Sequence, residues 1–294
     1  MDDFDQKVLF FHVCTDGTNN GIVHFCEEDY EQANKIAAVA AYKHGVKIIS
    51  HCHMTTHSHF VVWCGDEQAA KYFGESFKHA YSIYVYRAHG VSGVYQRIPV
   101  TVRQIADIRD LKNCVAYTLL NPVVARMVLR PEHWKWSSFA AYFNSVPQPS
   151  ISVSSLSIRK TRELFKTYTD LSRSGFEVDD DGKLLLRSFV DYKFVERLFG
   201  GPTDFFKCMA LTDSASEELK YTSIADPVRY TDDEIRAEAS MLALKKFSVR
   251  DIDQLTMDQK TGLLLPLRKK TGASPSRLAR VLRLNRDFVS RILG

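Results

Sequence analysis

Two histidine-rich segments joined by three residues constrain the fold of this chain more than any other feature. Residues 46–53 and 57–64 are dominated by β-branched, aromatic and other apolar side chains, which predicts a β-strand in each. Met54, Thr55 and Thr56 connect the two segments. Because so short a connection joins antiparallel neighbours, the two segments predict part of an antiparallel sheet.

Four histidines lie on these two strands: His51, His53, His57 and His59. Residues two apart on a strand point to the same face, so His57 and His59 can present two imidazoles to one metal ion. His51 and His53 satisfy the same rule on the neighbouring strand. The spacing does not choose between the two pairs, and it leaves open that some of these histidines are hydrogen-bonded core residues.

The other apolar patterns alternate between strand and helix periodicity. Further strands are predicted at residues 7–14 and near 94–102, and helices at residues 30–44, 66–88 and 107–120. The last helix is predicted to end at Asn121-Pro122, since proline cannot donate to the helical ladder. This order of elements predicts an α+β fold, an antiparallel sheet flanked by helices.

Composition along the chain predicts four parts. Residues 145–157 are rich in serine and proline, which is typical of a linker, and the patterns beyond them are all helical. We therefore expect a domain at residues 1–145, a linker at 146–158, a helical middle region at 159–230 and a helical C-terminal domain at 231–294.

The C-terminal part carries an uneven charge. Residues 261–294 contain eight Lys and Arg residues and a single acid, whereas residues 231–259 contain four basic and seven acidic residues. Two short amphipathic segments, residues 274–282 and 286–293, predict a helix-turn-helix that binds DNA. A solvated helix face or a plain bundle end remains the alternative. The candidate DNA contacts are Arg277, Arg280, Arg283, Arg286 and Arg291.

Several classes of protein are excluded by the sequence. No stretch approaches the roughly 18 uninterrupted apolar residues that a membrane helix needs. Residues 1–5 are acidic and lack the basic-then-apolar order of a secretory signal, and the six cysteines form no Cys-x-x-Cys pair. We expect reduced thiols in a cytoplasmic, nucleoid-associated protein that has no membrane partner.

Four sequence blocks between residues 7 and 143 resemble the REP-associated tyrosine transposases, a branch of the single-tyrosine HUH transposases. Residues 54–59, Met-Thr-Thr-His-Ser-His, are similar to the Met-Pro-Asn-His-hydrophobic-His segment of that family. Residues 117–125, Tyr-Thr-Leu-Leu-Asn-Pro-Val-Val-Ala, resemble its Tyr-Ile-x-x-Asn-Pro-Val-x-Ala segment. Residues 136–139, Trp-Ser-Ser-Phe, and residues 95–97, Tyr-Gln-Arg, match shorter blocks.

This resemblance implies a fold, an activity and a set of site residues. It implies the ferredoxin- or RRM-like fold of HUH nucleases, with His57 and His59 holding Mg²⁺ or Mn²⁺ and Tyr117 attacking single-stranded or hairpin DNA. Asn121 lies one helical turn after Tyr117 and on the same face, so it is the expected third metal ligand. Arg97 is an expected DNA contact. The implied product is a covalent 5′-phosphotyrosine link, which a later step reverses to rejoin DNA.

Two departures from the family segment leave alternatives open. Thr55-Thr56 replaces Pro-Asn, and Ser58 replaces a hydrophobic residue. One alternative is a domesticated, catalytically weakened regulator that binds repetitive palindromic DNA. A second is a nuclease in which water attacks, with His51 or His53 as base, and a third is a structural zinc site formed by all four histidines. The sequence also leaves open whether Tyr117 acts across a homodimer.

Overall fold

A computed structural model of the chain describes residues 8–15, 21–95, 99–144, 146–212, 232–249, 251–271, 273 and 275–293. The chain divides into two compact units, Met1–Ile224 and Ala225–Gly294. The strands are β1 Leu9–Thr15, β2 Lys47–His53, β3 Ser58–Cys64, β4 Val100–Gln104, β5 Ile151–Ser152 and β6 Glu177–Val178. The helices of the first unit are α1 Glu27–Lys43, α2 Glu67–His89, α3 Ile108–Val124, α4 Ile158–Phe165, α5 Leu186–Phe189, α6 Tyr192–Phe199 and α7 Pro202–Leu211.

A four-stranded sheet in the order β2-β3-β1-β4 forms the centre of the first unit. All of its neighbouring strands are antiparallel. The chain order β-α-β-β-α-β with this strand order is the ferredoxin-like arrangement. The predicted α+β fold, an antiparallel sheet flanked by helices, is therefore confirmed.

Side-chain caps define where the two long helices after the hairpin begin. The Asp66 carboxylate accepts a hydrogen bond from the backbone N–H of Ala69 at 2.7 Å, which starts α2. Asp107 accepts from the N–H of Asp110 at 2.9 Å in the same way and starts α3. Each carboxylate satisfies a backbone donor that has no partner within the helix.

The strand register sends the two histidine pairs to opposite faces of the sheet. His59 on β3 is paired with Cys14 on β1, whereas the adjacent Phe60 is paired with His51 on β2. Paired residues share a face and successive residues alternate. Phe60 and His51 therefore point to the side opposite His59.

Different helices cover these two faces. The ring of Phe77, on α2, lies 5.0 Å from the ring of Phe60 and 5.8 Å from that of His53. On the other face the ring of Tyr117, on α3, lies 5.6 Å from the imidazole of His59. The sheet is thus buried between α2 on one side and α3 on the other.

The Trp-Ser-Ser-Phe block closes the outer edge of the sheet. The backbone N–H of His53 donates to the carbonyl of Trp136 at 2.9 Å, and the indole of Trp134 donates to the carbonyl of His53 at 3.0 Å. The N–H of His51 donates to the Ser138 hydroxyl at 3.0 Å. These bonds pair backbone groups at the outer edge of β2, the strand that carries His51 and His53.

Helix α3 continues through Pro122 to Val124, so the predicted end before that proline is wrong. Proline lacks an N–H and removes one hydrogen bond from the ladder. The missing bond is the one to the carbonyl of Thr118, and α3 continues for only two residues beyond the proline. The side-chain amide of Asn121 donates to the carbonyl of Tyr117 at 2.9 Å. The N–H of Met127 then donates to the carbonyl of Pro122 at 2.9 Å and closes the final turn.

Residues 146–158, where a linker is predicted, lie within the first unit and contain regular structure. Strand β5 pairs with β6, and Val153 in the following 3-10 helix is buried beside Phe165 and Phe176. The region after residue 145 is therefore not all helical. The serine and proline content of the segment indicates its local backbone preference. The burial of Val153 depends instead on apolar residues that come later in the chain.

The second unit contains four α-helices in its described part: α8 Asp232–Phe247, α9 Met257–Thr271, α10 Pro275–Leu282 and α11 Arg286–Leu293. Their apolar faces form a separate core that includes Ile235, Leu263, Leu278 and Val289. Among the described residues of the whole chain, no helix has both the length and the apolar character required to cross a bilayer.

Two buried histidines on the α2 side predict that the protein loses stability in acid. Burial lowers the pKa of His24 from 6.5 to about 4 and that of His51 from 6.5 to about 3. Below pH 6.5 the unfolded chain binds these protons and the folded chain does not, so stability falls as pH drops toward the folded pKa values. We expect a loss on the order of 3 kcal/mol per histidine between pH 7 and pH 4.

Urea unfolding followed by circular dichroism at several pH values measures this loss. His51→Phe suits the apolar contacts of this ring with Phe60 and Phe189, and it should reduce the acid sensitivity. The exposed His133→Gln serves as the control and should leave the pH dependence unchanged. Equal pH dependence in the wild type and His51→Phe would contradict the assignment.

Candidate metal and tyrosine site

His57 and His59 aim their imidazoles at each other on the α3 side of the sheet. His57 precedes β3 directly and His59 is its second residue. Their Nε2 atoms are 2.8 Å apart, and the two ring planes are inclined by 77°. The sequence rule that residues two apart share a face therefore holds for this pair in the structure.

Tyr117 joins this pair from helix α3. Its ring meets the imidazole of His59 edge-on, with ring centroids 5.6 Å apart, and that of His12 at 6.0 Å. His12 lies on β1, so three separate elements contribute to the cluster. The structure thus brings together the tyrosine and the two histidines that the sequence singled out.

Asn121 lies one turn after Tyr117 and is buried. Its side-chain amide nitrogen donates to the carbonyl of Tyr117, within the last turns of α3. Of the two polar atoms of this amide, the oxygen Oδ1 is the one with the chemistry to bind a cation. The sequence predicted Asn121 as a metal ligand, and the bond to Tyr117 shows that it also contributes to the structure of α3.

The spacing of the two Nε2 atoms fits a shared cation. Imidazole nitrogens bind a divalent metal at about 2.1 Å, so two ligands at a right angle lie about 3.0 Å apart. The observed separation of His57 Nε2 and His59 Nε2 is 2.8 Å. Two nitrogen ligands leave positions for oxygen donors, which suits Mn²⁺ or Mg²⁺ better than a closed zinc site.

His51 and His53 belong to the other face and take no part in this cluster. The Nδ1 atom of His53 is hydrogen-bonded to the Ser58 hydroxyl at 2.7 Å, and burial lowers the pKa of His51 to about 3. The sheet lies between the imidazoles of His51 and His53 and the ring of Tyr117. The hypotheses of a four-histidine zinc site and of His51 or His53 as the base of a nuclease are therefore wrong.

The cluster is closed to solvent in this conformation. Tyr117 and His57 are each 1% exposed, and His59 is 0% exposed. A DNA phosphate cannot reach these groups while α3 lies against the sheet in this way. Any reaction at the cluster therefore requires a displacement that uncovers Tyr117.

A second group with metal-ligand chemistry was not anticipated from the sequence. Cys26, Asp29 and His89 place one potential ligand atom each within 4.8 Å of the others, the one such cluster of three found among the described residues. Asp29 accepts hydrogen bonds from the hydroxyl of Tyr84 at 2.9 Å and from Nε2 of His89 at 2.7 Å. It also accepts from the N–H of Phe25 at 2.7 Å, so this carboxylate already links the start of α1 to the end of α2.

The six arginines predicted to contact DNA differ in their surroundings. Arg97 lies outside the described residues. Arg277 and Arg280 form ion pairs with Asp232 at 3.1 Å and 2.5 Å, and Arg283 pairs with Asp253 at 3.3 Å. Arg286 and Arg291, both on α11, are exposed.

No protein-family model matches this chain, and no curated protein matches it. Among solved structures, the chain is similar to a REP-associated tyrosine transposase bound to a REP hairpin. The likeness covers 51% of this chain and 89% of that chain, with 16% sequence identity and a TM-score of 0.36. Similarity at this level carries no conclusion about activity, which has to come from the residues of the site.

Binding of Mn²⁺ tests whether the two Nε2 atoms hold a cation. In a Cys26→Ser background, which removes one ligand of the second cluster, we expect His59→Gln to abolish binding measured by isothermal titration calorimetry, because a single remaining imidazole holds the ion weakly. His51→Gln, on the opposite face of the sheet, is the matched control and should bind as the wild type does. Equal loss in both variants would contradict the assignment of the site to the α3 face.

Proposed function

We propose that this protein is a metal-dependent transposase that cleaves and rejoins single-stranded or hairpin DNA, with Tyr117 as the nucleophile. The observation that carries the proposal is one cluster: two imidazole nitrogens 2.8 Å apart and a tyrosine ring 5.6 Å from one of those imidazoles. His57 and His59 would hold the metal, and Asn121 would add an oxygen ligand. Tyrosine beside a two-histidine cation site is suited to attack on a phosphodiester.

The reaction follows from the chemistry of a phenol and a phosphodiester. An unperturbed tyrosine titrates near pH ~10, so its hydroxyl needs assistance at neutral pH. A divalent cation at the histidines, when bound, neutralises charge on the phosphate and polarises the bond that breaks. The Tyr117 oxygen attacks phosphorus, loses its proton and displaces the 3′-oxygen, which gains a proton. A 5′-phosphotyrosine and a free 3′-hydroxyl result.

Rejoining is the reverse of this step. The 3′-hydroxyl of a DNA end attacks the phosphotyrosine and releases the Tyr117 hydroxyl. No nucleotide cofactor is needed, because the covalent intermediate conserves the energy of the phosphodiester. Because Tyr117 is buried, DNA would reach it only after a displacement that exposes the tyrosine.

A second candidate is a DNA-binding regulator without strand transfer. The burial of Tyr117 and His59 favours it, since a regulator has no need to expose either group. The two candidates differ in one observable, the covalent bond between protein and DNA. Both require that the chain bind DNA.

The two last helices support a role in DNA binding. Arg283, with φ of 54°, turns the chain between α10 and α11, and the Asn285 side chain accepts from the N–H of Phe288 at 3.1 Å to start α11. Two short helices around such a turn match a helix-turn-helix. Arg286 and Arg291 are exposed on α11, the second helix of this pair, and we assign the principal DNA contacts to them.

A covalent adduct tests the catalytic proposal. Incubation of the protein with a palindromic single-stranded DNA and Mn²⁺, followed by denaturing electrophoresis, should show a protein–DNA band. Tyr117→Phe should abolish the band, because the nucleophilic oxygen is gone. Tyr86→Phe, at an exposed position on α2, is the matched control and should retain it.

The outcomes separate the candidates. An adduct that persists in Tyr117→Phe would overturn the choice of nucleophile. Absence of an adduct in the wild type, together with retained binding to the same DNA, would favour the regulator. Released DNA fragments without attached protein would indicate attack by water.

Substitution on α11 tests the C-terminal proposal. Arg286→Ala should weaken DNA binding and reduce the slope of log affinity against log salt by about 1, because one phosphate contact is lost. The exposed Arg159→Ala, in the first unit, is the control and should leave the slope unchanged. Fluorescence anisotropy over a range of salt concentrations measures both.

A further inference from the structure

Each of the two candidate metal ligands is held at its outer nitrogen by another side chain. The hydroxyl of Thr56 lies 2.9 Å from Nδ1 of His57. On the other ligand, Nε2 of His12 lies 3.2 Å from Nδ1 of His59. Both contacts connect to the nitrogen that faces away from the 2.8 Å gap between the two Nε2 atoms.

The chemistry of imidazole ties these contacts to metal binding. A neutral imidazole carries its proton on one nitrogen and a lone pair on the other. A metal requires the lone pair of Nε2, so the proton must lie on Nδ1, where an acceptor stabilises it. The Thr56 hydroxyl and the His12 Nε2 atom are both able to accept such a hydrogen bond.

The same contacts are also compatible with the cluster when it holds no metal. In a hydrogen bond between His57 Nε2 and His59 Nε2, one ring carries its proton on Nε2 and the other accepts. If a cation took both lone pairs, that ring would carry its proton on Nδ1 instead, with no change in the number of protons. The Thr56 hydroxyl would accept from Nδ1–H of His57, and His12, with its own proton on Nδ1, would accept at Nε2 from Nδ1–H of His59.

We propose that Thr56 and His12 are positioning residues that fix His57 and His59 as Nδ1–H tautomers and thereby direct both Nε2 lone pairs at one divalent cation. This inference rests on the proposed function, because it concerns the metal site of that reaction. It also assigns a role to Thr56, which stands where the family segment resembled by this chain has asparagine. His12 is buried, so its bond to His59 is shielded from water.

Matched substitutions at Thr56 provide the main test. Thr56→Val keeps the shape of the side chain and removes the hydroxyl, whereas Thr56→Ser keeps the hydroxyl. We expect Mn²⁺ affinity, measured by calorimetry on the full chain, to fall about 10- to 100-fold in Thr56→Val and to stay near the wild-type value in Thr56→Ser. Since Thr56 is only partly buried, both variants should fold, which circular dichroism verifies.

A spectroscopic readout separates positioning from general structural support. Nitrogen-15 NMR of histidine-labelled protein loaded with Zn²⁺, a diamagnetic probe, reports which ring nitrogen carries the proton. The measurement uses a Cys26→Ser background so that the Cys26, Asp29 and His89 cluster does not contribute zinc signals. Wild type and Thr56→Ser should show zinc-bound Nε2 and Nδ1–H for His57. Thr56→Val, which binds zinc more weakly, should show a mixture of this form and the metal-free tautomers.

His12 is tested in the same way, with His12→Phe removing the acceptor and His12→Gln restoring one. Mn²⁺ affinity should fall in His12→Phe and recover in part in His12→Gln. Unchanged Mn²⁺ affinity and an unchanged His57 tautomer in folded Thr56→Val would overturn the inference, even if the wild type forms the covalent adduct. Conversely, a wild type without adduct whose Mn²⁺ affinity depends on Thr56 would overturn the proposed function and support the inference.

Discussion

The pairing of β3 between β1 and β2 is the constraint on which the rest of this molecule depends. Side chains on a strand alternate between two faces, so a register shift of one residue would move His59 to the α2 side and Phe60 to the α3 side. The large apolar rings of Phe60 and Phe77 pack against each other on the α2 side. Their burial therefore holds the register, and the register in turn places His59 beside Tyr117.

The two faces of the sheet treat histidine in different ways. On the α3 side, His12, His59 and His57 are linked through successive ring nitrogens, at 3.2 Å and 2.8 Å. On the α2 side, burial dominates, and it keeps His51 neutral because no partner among the described residues is hydrogen-bonded to its ring nitrogens. Histidines that are two residues apart on a strand thus form a polar cluster suited to a cation on the α3 side and part of an apolar core on the α2 side.

Local patterns predicted most of the fold and misplaced particular elements. The strands around the histidine hairpin and the helices α1, α2 and α3 follow from strand and helix periodicity. The end of α3 was misplaced, because the helix accommodates Pro122 in its last turn and ends two residues later, at Val124. The burial of Val153, within the predicted linker, does not follow from local composition, since its apolar partners lie elsewhere in the chain.

The amino-acid sequence by itself determined that His57 and His59 share a face and that Tyr117 and Asn121 lie on one side of a helix, since both follow from strand and helix periods. It also identified the kinds of side chain in the cluster, namely imidazoles and a phenol. Tertiary structure decided which histidine pair meets the tyrosine, and it added His12, which lies 47 positions from His59. Periodicity describes the direction of a side chain relative to its own backbone, whereas a contact between distant segments depends on how strands pair and which helix covers each face.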